Sequence, residues 1–246
     1  MFPFRLLLSF IYFKIRISFL QIYKRPISYN LCANGFLHIK NKFTIDLARE
    51  INKEQKYSKY NFVYNRINIS DNNLKKIYSE LYKSKILDII KEYLGNKLIC
   101  YDNSILTLGE LESTDGAWQP HHDNKGNRIK IYIWLDKYTN KTHPLYYKKK
   151  SHKIFKFFNL DQSNKYKDYK DVHMEKIYGD VGDIIIFDTN GIHSNFKTSN
   201  SPRSVVELTF ENFGSFSRIN DKSIKGRNEI KRLSAFFLES LIENYN

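Results

Sequence analysis

Hydrophobic residues at helical spacing mark three segments of the chain. Apolar positions three and four residues apart run through residues 43–55 and 71–93, and again through residues 223–245. Thr44 is placed to cap the first helix, and Gly95 is placed to end the second. This spacing predicts helices that support a domain formed by the rest of the chain.

From residue 97 the pattern changes to short apolar segments separated by Gly, Asn, Asp and Pro. Short strands divided by such turns are typical of an antiparallel barrel or sandwich. The first expected strand lies earlier, at residues 35–39, after a connector at residues 26–34, and residues 152–169 form an irregular insertion. The other expected strands are residues 98–108, 130–136, 145–148, 175–178, 183–188 and 204–213. The chain is therefore predicted to be mainly β with flanking helices.

The N-terminal segment, residues 1–23, is mostly apolar but contains Arg5, Lys14 and Arg16. These charges argue against a membrane-spanning helix, which needs about 20 predominantly apolar residues. Residues 6–13 could form the core of a signal peptide, but no small-residue cleavage site follows them. A cleaved segment is therefore the minority interpretation. The two favoured ones are an interfacial helix that lies on an anionic membrane, and an arm that packs on the domain or on a second subunit.

The size and composition of the chain indicate a folded protein with one main domain. Its 246 residues are 41% hydrophobic and 15% aromatic, which is enough to bury a substantial core and is unlike a disordered chain. We expect an N-terminal arm at residues 1–33, a β domain with its supporting helices at residues 34–220, and a C-terminal helix packed on that domain at residues 221–246.

The formal net charge is +14, which favours an anionic partner such as a phosphorylated or CoA-linked small molecule or a membrane surface. The competing interpretation is a general compositional bias, because Lys, Asn, Ile and Tyr are abundant throughout the chain and solvated Lys residues need no partner. We expect no nucleic-acid partner, since the sequence contains no compact basic tract and no nucleic-acid-binding motif.

The two cysteines, Cys32 and Cys100, lie far apart and outside any metal-ligand spacing. We expect them to be buried free thiols in a reducing compartment. The expected location is therefore the cytoplasm, peripheral to a membrane if the N-terminal segment binds one.

The residues with the most informative chemistry are His121 and Asp123, followed later by His193. In an extended strand alternate side chains share a face, so His121 and Asp123 can bind one ion while His122 points away. His193 follows the apolar strand at residues 183–188. Two imidazoles and one carboxylate on one side of an ion form the facial triad of non-heme Fe(II) oxygenases.

Arg203 lies ten residues beyond His193, where the next strand begins. A planar guanidinium offers a forked pair of donors that matches a carboxylate, which a Lys ammonium cannot reproduce. Arg203 is therefore a candidate anchor for a carboxylate, and the alternative is an ordinary surface arginine.

The order of these residues resembles that of Fe(II)- and 2-oxoglutarate-dependent dioxygenases, in particular the phytanoyl-CoA dioxygenase-like family. Three sets of residues support the resemblance. Residues 34–39 are similar to the family's first strand, and residues 131–136, 142–145 and 150–153 are similar to a later strand followed by the family's G-P-L and P-G-S-H-K sequences. Residues 182–193 and 200–203 are similar to the segments that contain the family's distal histidine and arginine. The resemblance covers residues 34–214. His143 and Lys150 replace glycines that the family usually has in these loops.

The resemblance implies a double-stranded β-helix, also called a jelly roll or cupin-like fold, flanked by helices. It implies that His121, Asp123 and His193 bind Fe(II), and that Arg203 pairs with the distal carboxylate of 2-oxoglutarate. Molecular oxygen would take the remaining open position on the iron. The implied activity is hydroxylation of a small or CoA/phosphate-linked substrate, with release of succinate and CO2.

A second contact to 2-oxoglutarate is expected from the strand at residues 130–136. Lys130, Tyr132 and Trp134 share one face of this strand, and the apolar residues between them share the other. If the first face looks into the barrel, an inward Lys needs an anionic partner, and Lys130 or Tyr132 would be that contact. In the opposite orientation Lys130 is merely solvated. Thr107 is a weaker candidate of the same kind.

Two other functions remain open from the sequence. One is a catalytically silent jelly-roll module that keeps the metal site but binds a lipid or glycan, and the other is a basic peripheral membrane-binding protein. The substrate is not identified by any motif, and we expect it to be selected by the loops at residues 110–117, 124–128 and 153–171. The remaining histidines are expected to be structural or exposed; these are His38, His143, His152 and His173.

Overall fold

The structure is a computed structural model of the whole chain. The residues it describes are 11–12, 15–16, 18–19, 22, 28–54, 64–95, 98–109, 119–123, 128–137, 143–153, 173–195 and 203–212. The predicted C-terminal helix and most of the expected insertion lie outside these residues.

Four helices are described between residues 28 and 95, and they support the sheets: α1 (Tyr29–Asn34), α2 (Ile45–Asn52), α3 (Asp71–Lys83) and α4 (Ile86–Leu94). Nine strands are described: β1 (Phe36–Ile39), β2 (Tyr64–Asn68), β3 (Leu98–Leu108), β4 (Arg128–Trp134), β5 (Leu145–Tyr147), β6 (Glu175–Ile177), β7 (Ile184–Asp188), β8 (His193–Ser194) and β9 (Arg203–Asn212). A short 3-10 helix, Ser151–Lys153, follows β5.

The strands form two antiparallel sheets. The larger sheet has the order β1-β7-β4-β9-β3-β2, and the smaller has the order β6-β5-β8. An apolar layer lies between them and contains residues from both sheets: Leu106, Leu108, Tyr132, Trp134, Leu145, Tyr147, Ile177, Ile185, Phe187 and Val205. This arrangement is a double-stranded β-helix with flanking helices, which confirms the expected fold class.

The other face of the larger sheet packs against the helices. Successive side chains of a strand point to opposite faces, so the residues between those of the inner layer join a second core. From the strands it contains Ile105, Ile129, Ile131, Ile133, Ile184, Ile186, Val206, Leu208 and Phe210, and from the helices Leu31, Ala48, Ile51, Ile77, Leu81, Ile89 and Ile90. The helices therefore cover one face of the sheet and leave the other free to form the barrel interior.

The prediction of one helix over residues 71–93 is wrong, because the helix is interrupted at Ser84 and Lys85. Lys85 has a φ of 60°, a left-handed conformation that a right-handed helix cannot include. The helix α4 begins directly after the break. Its buried residues are Ile86, Leu87, Ile89, Ile90, Tyr93 and Leu94. Gly95, at a φ of 105°, follows α4 as expected.

Local details differ from the sequence-based expectations at three other places. The expected connector at residues 26–34 contains α1, whose Leu31 and Cys32 are fully buried. Thr44 occupies the N-cap position of α2, but its hydroxyl donates to Glu80 instead of capping the helix. Strands β2 and β8 were not predicted; β8 has only two residues, too few to produce an alternating pattern.

The N-terminal arm meets the domain at the end of α4. Its described residues, Ile11, Tyr12, Ile15, Arg16, Ser18, Phe19 and Ile22, are helical. The guanidinium of Arg16 donates to the backbone oxygen of Glu92 at 2.8 Å, where the helix dipole favours a cation. No helix within the described ranges is both long and apolar enough to cross a membrane. Cys32 and Cys100 are buried and are not joined in a disulfide, as expected.

Candidate metal centre

His121 and His193 are brought together by the backbone. The N–H of His121 donates to the oxygen of His193 at 2.9 Å, and the N–H of His193 donates to the oxygen of His121 at 2.8 Å. His193 belongs to β8 of the smaller sheet, so this isolated bridge attaches the segment containing His121 to that sheet. The centres of the two imidazole rings lie 4.4 Å apart.

Asp123 completes the group from a segment that is not a regular strand. Its N–H donates to the backbone oxygen of Thr189 at 2.7 Å, which fastens it to the end of β7. Its Oδ1 lies 3.8 Å from Nε2 of His121. One ligand atom from each of His121, Asp123 and His193 lies within 4.8 Å of the others. His121 and Asp123 can share one ion, as expected for alternate residues of an extended segment, because backbone hydrogen bonds hold each of them. His122 lies between them and is buried, so it does not face solvent.

Both imidazoles are oriented by backbone carbonyls. Nδ1 of His121 lies 2.8 Å from the oxygen of Gln119, and Nδ1 of His193 lies 2.9 Å from the oxygen of Gly191. A carbonyl can only accept, so each Nδ1 carries a proton, and in the neutral form of each imidazole Nε2 is the lone-pair donor. Such carbonyl contacts commonly hold histidines that bind metals.

The protonation states at this centre suit a metal. Burial, followed by the nearby His121, holds the pKa of His193 well below its usual range, so the imidazole is neutral. Burial alone would raise the pKa of Asp123, but Arg128 and then Lys130 outweigh it and hold that pKa well below its usual range. Neutral imidazoles and an ionised carboxylate are the forms that bind metal ions. Two nitrogens and one oxygen fit Fe(II).

Arg203 is fully buried at the start of β9, inside the barrel. Its Nη2 donates to Oδ1 of Asn195 at 2.7 Å, and its Nη1 donates to the backbone oxygen of His143 at 3.3 Å. The guanidinium carbon lies 5.5 Å from the centre of the Tyr132 ring and 5.3 Å from that of Trp134. Its Nε has no hydrogen-bond partner among the residues described. A buried donor without an acceptor fits a bound carboxylate such as that of 2-oxoglutarate.

Arg203 remains positively charged although it is buried. Burial lowers the pKa of its guanidinium to about 10, which leaves it protonated at neutral pH. It was predicted as a carboxylate anchor, and its position inside the barrel is compatible with that role.

Lys130 and Tyr132 face the barrel interior, which decides between the two orientations that the sequence left open. Tyr132 belongs to the inner apolar layer. Nζ of Lys130 lies 3.5 Å from Oε2 of the buried Glu207, so it already has an anionic partner within the protein. Burial, followed by Glu207, raises the pKa of Tyr132, so its hydroxyl stays protonated.

Thr107 does not share this interior. It lies on the helix side of β3, two residues from Ile105, and its hydroxyl is 3.2 Å from that of Ser204. The expectation that Thr107 faces a cosubstrate is wrong, because the alternation of β3 sends Leu106 and Leu108 inward instead.

Three residues near the centre were missed from the sequence: Arg128, Asn195 and Glu207. Arg128 was assigned to a specificity loop, but it is the first residue of β4. Extending the alternation of Lys130 and Tyr132 backwards by two positions would have found it. Glu207 lies four positions after Arg203, so the same alternation places it on the inner face of β9. Asn195 carries no sequence signal that distinguishes it from other loop residues.

The other histidines have structural surroundings or are exposed, as expected. Nε2 of His38 lies 2.9 Å from Oδ2 of Asp183, and Nε2 of His152 lies 3.0 Å from the backbone oxygen of Cys32. His173 is exposed. His143 is buried, and its carbonyl helps to hold Arg203.

No protein-family model matches the sequence, and no curated protein matches it either. Solved structures do match the fold. The non-heme, α-ketoglutarate-dependent epimerase SnoN from nogalamycin biosynthesis aligns with a TM-score of 0.58 at 12% identity, over 78% of this chain and 84% of that one. HygX from Streptomyces hygroscopicus, with nickel and 2-oxoglutarate bound, aligns with a TM-score of 0.55 at 14% identity, over 77% and 87%.

A third match is the non-heme, α-ketoglutarate-dependent carbocyclase SnoK from nogalamycin biosynthesis. Its TM-score is 0.56 at 13% identity, over 82% of this chain and 90% of that one. α-Ketoglutarate and 2-oxoglutarate are the same compound. At these identities the likeness establishes the fold. The chain therefore has the double-stranded β-helix fold of non-heme, 2-oxoglutarate-dependent enzymes.

Proposed function

We propose that the protein is an Fe(II)- and 2-oxoglutarate-dependent oxygenase that hydroxylates a small molecule. The observation that carries this proposal is the group formed by His121, Asp123 and His193 in the same barrel as the buried Arg203. Three ligands on one side of an ion leave positions for a chelating cosubstrate and for oxygen. The motifs at residues 142–153 and 200–203 support a place in the phytanoyl-CoA dioxygenase-like family.

The chain's residues have distinct roles in this proposal. Nε2 of His121, Nε2 of His193 and Oδ1 of Asp123 hold the metal. Arg203 binds the distal carboxylate of 2-oxoglutarate, and its burial strengthens that contact because water does not compete. Bound iron and 2-oxoglutarate supply the oxidation, in which oxygen is reduced while 2-oxoglutarate becomes succinate and CO2.

Lys130 and Tyr132 are proposed as the second contact to 2-oxoglutarate. Both face the barrel interior that contains Arg203, and the ammonium of Lys130 can exchange part of its interaction with Glu207 for a ligand carboxylate. The substrate is proposed to be a small molecule. The net charge of +14 favours an anionic or CoA-linked one.

Hydroxylation is the outcome that the phytanoyl-CoA dioxygenase-like motifs favour. The structural neighbours include an epimerase and a carbocyclase, so this fold also accommodates other outcomes. Mass spectrometry of products separates these possibilities: hydroxylation adds one oxygen atom to the substrate, whereas epimerisation leaves its mass unchanged.

The test is succinate formation from 2-oxoglutarate with Fe(II), together with anaerobic binding of each. The wild type is expected to bind one metal ion and to form succinate. His121→Ala is expected to lose metal binding, and Arg203→Ala to lose 2-oxoglutarate binding while retaining metal. The matched controls are His173→Ala and Arg49→Ala, which replace exposed residues of the same types.

Two results would contradict the proposal. Absence of metal binding by the wild type would remove its basis. Metal binding without any succinate formation, across acyl-CoA, amino-acid-like and carbohydrate substrates, would favour a catalytically silent jelly-roll module instead.

We also propose that the N-terminal arm, residues 1–33, contacts an anionic membrane surface. The helical residues Ile11, Tyr12, Ile15, Phe19 and Ile22 are between 44% and 72% exposed, although all are large and apolar. Residues 1–25 contain five Lys or Arg and no Asp or Glu. An apolar face with neighbouring cations is typical of helices that lie in a lipid interface.

Sedimentation with vesicles tests this second proposal. The protein is expected to bind phosphatidylserine vesicles more strongly than neutral phosphatidylcholine vesicles, and Ile15→Glu is expected to reduce that binding. Equal binding by the wild type and by Ile15→Glu would contradict it, and a dimer that dissociates in Ile15→Glu would favour an arm packed on a second subunit.

A further inference from the structure

Arg128 is an unusual residue to find inside a protein. It is the first residue of β4, and only 2% of its surface is exposed. A buried guanidinium is costly unless it is paired and hydrogen-bonded. Its partners should therefore explain why the barrel contains it.

The partners of Arg128 are Asp123 and Thr189. Nη2 of Arg128 lies 2.5 Å from Oδ2 of Asp123, and its Nε donates to Oγ1 of Thr189 at 3.1 Å. The backbone joins the same three residues, because the N–H of Thr189 donates to the oxygen of Arg128 at 3.2 Å and that of Asp123 to the oxygen of Thr189 at 2.7 Å. Arg128 and Thr189 therefore fix both the main chain and the side chain of Asp123.

The two oxygens of Asp123 face different partners. Oδ2 is held by Arg128, whereas Oδ1 lies 3.8 Å from Nε2 of His121. We propose that Arg128 is a positioning residue that makes Asp123 a metal ligand through one oxygen only. This inference rests on the proposed function, because it assumes that Asp123 binds a metal ion.

The consequence concerns the number of open positions on the metal. An octahedral ion with three ligand atoms from the protein has three positions left, two for the chelating cosubstrate and one for oxygen. A carboxylate bound through both oxygens would occupy one of these positions. By holding Oδ2, Arg128 would keep that position open on a bound ion.

The primary test is Arg128→Lys. Lys retains the positive charge beside Asp123 but cannot hold Asp123 and Thr189 together, because it lacks the planar fork. The variant is expected to bind Co(II) about 10- to 100-fold more weakly than the wild type, the usual effect of losing a partner that orients a ligand. The visible absorption of bound Co(II), which reports coordination number and geometry, is expected to change as Oδ2 becomes free to coordinate.

A second variant covers the case in which Arg128→Lys fails to fold. Thr189→Val removes the acceptor of the Arg128 Nε and leaves both charged residues in place. It is expected to shift Co(II) affinity and absorption in the same direction, by a smaller amount. Arg49→Lys is the control, because its side chain is 69% exposed and lies in α2.

The outcomes separate this inference from the proposed function. A folded Arg128→Lys with wild-type Co(II) affinity and absorption would overturn the positioning role, even if its melting temperature fell. A wild type that binds no Co(II) would overturn the proposed function and this inference together. A wild type that binds Co(II) but no 2-oxoglutarate would overturn the proposed function alone, since the Co(II) comparison would still stand.

Discussion

The guanidinium of Arg203 lies against the indole of Trp134, with its central carbon 5.3 Å from the ring centre. The same indole packs closely against Gly179, where a Cβ would lie 2.5 Å from its ring carbon Cδ2. Tyr132 packs near the same guanidinium. The orientation of Arg203 is therefore set before any ligand binds, and a carboxylate meets a donor group that is already in place.

Replacing Arg203 with Lys tests this arrangement. Arg203→Lys keeps a positive charge but loses the flat, forked donor group that the two rings hold. We expect the dissociation constant for 2-oxoglutarate to rise about 10- to 100-fold, as for the loss of one hydrogen bond to a charged group. Anaerobic titration of the metal-loaded protein measures it, with Arg49→Lys as the control. An unchanged dissociation constant would mean that Arg203 does not bind the carboxylate.

Gly191 is expected to be essential for the position of His193. A Cβ at this residue would lie 1.9 Å from the hydroxyl oxygen of Tyr147, and the carbonyl of Gly191 orients Nδ1 of His193. Gly191→Ala should reduce the free energy of unfolding by about 1–3 kcal/mol, as overpacking does, and should weaken metal binding.

The double variant Gly191→Ala with Tyr147→Ala is the control for this prediction. The added Cβ would also lie 2.3 Å from Cζ of Tyr147, so the whole ring has to be removed to relieve the overlap. Thermal unfolding and Co(II) titration measure the two effects. The explanation fails if the double variant is no more stable than the sum of the two single effects predicts.

We predict that replacing Glu207 destabilises the protein more than replacing its partner Arg66. Its side chain is 1% exposed and pairs with Arg66 at 2.7 Å and with Lys130 at 3.5 Å. Glu207→Ala leaves Lys130 without its anionic partner, so we expect the free energy of unfolding to fall by about 3–5 kcal/mol. Arg66 is 37% exposed, and Arg66→Ala is expected to cost only about 1 kcal/mol. Urea unfolding compares them, and equal losses would refute the assignment.

Asp183 is expected to make the domain sensitive to acid. Its carboxylate accepts from the backbone N–H of Asn41 at 2.9 Å and of Asp180 at 3.0 Å, and it contacts His38. Burial alone would raise its pKa, but these hydrogen bonds outweigh burial and lower it. A lowered pKa in the folded state means that the stabilisation is complete above the unfolded value of about 4. It is lost as the pH falls through the folded value.

Asp183→Asn should therefore be less stable than the wild type by about 1.5–3 kcal/mol at neutral pH, and the difference should shrink below about pH 4. Unfolding by urea across a pH series measures the difference. A stability difference that grows as the pH falls would contradict a lowered pKa of Asp183 in the folded protein.

The sequence supports the fold because the relevant signals are local. Alternation in residues 129–134 and 203–210 reflects a sheet with one apolar face toward helices and one toward the barrel, and each strand carries that information by itself. The break at Lys85 could not be found this way, since nothing in the apolar spacing marks its positive φ. Apolar spacing continues across the break.

The candidate site was predictable in part for a related reason. His121, Asp123, His193 and Arg203 appear in an order that can be recognised along the chain, and the structure brings the three expected ligands together. Alternation also places Glu207 and Arg128 on the inner face of their strands, but it does not give their partners. The contacts of Glu207 with Arg66 and of Arg128 with Thr189 join residues far apart in sequence, and such contacts appear only when the strands are aligned.

The backbone bridge between His121 and His193 implies that a metal ion at this centre would connect the two sheets. His193 belongs to the smaller sheet, while Asp123 is tied through Thr189 and Arg128 to the larger one. A metal ion held by all three ligands would cross-link the two sheets at this end of the barrel. Its removal should allow local opening there without global unfolding. Amide hydrogen exchange should then quicken at His121 and His193 on chelation and stay slow at Ile131, in the centre of the larger sheet.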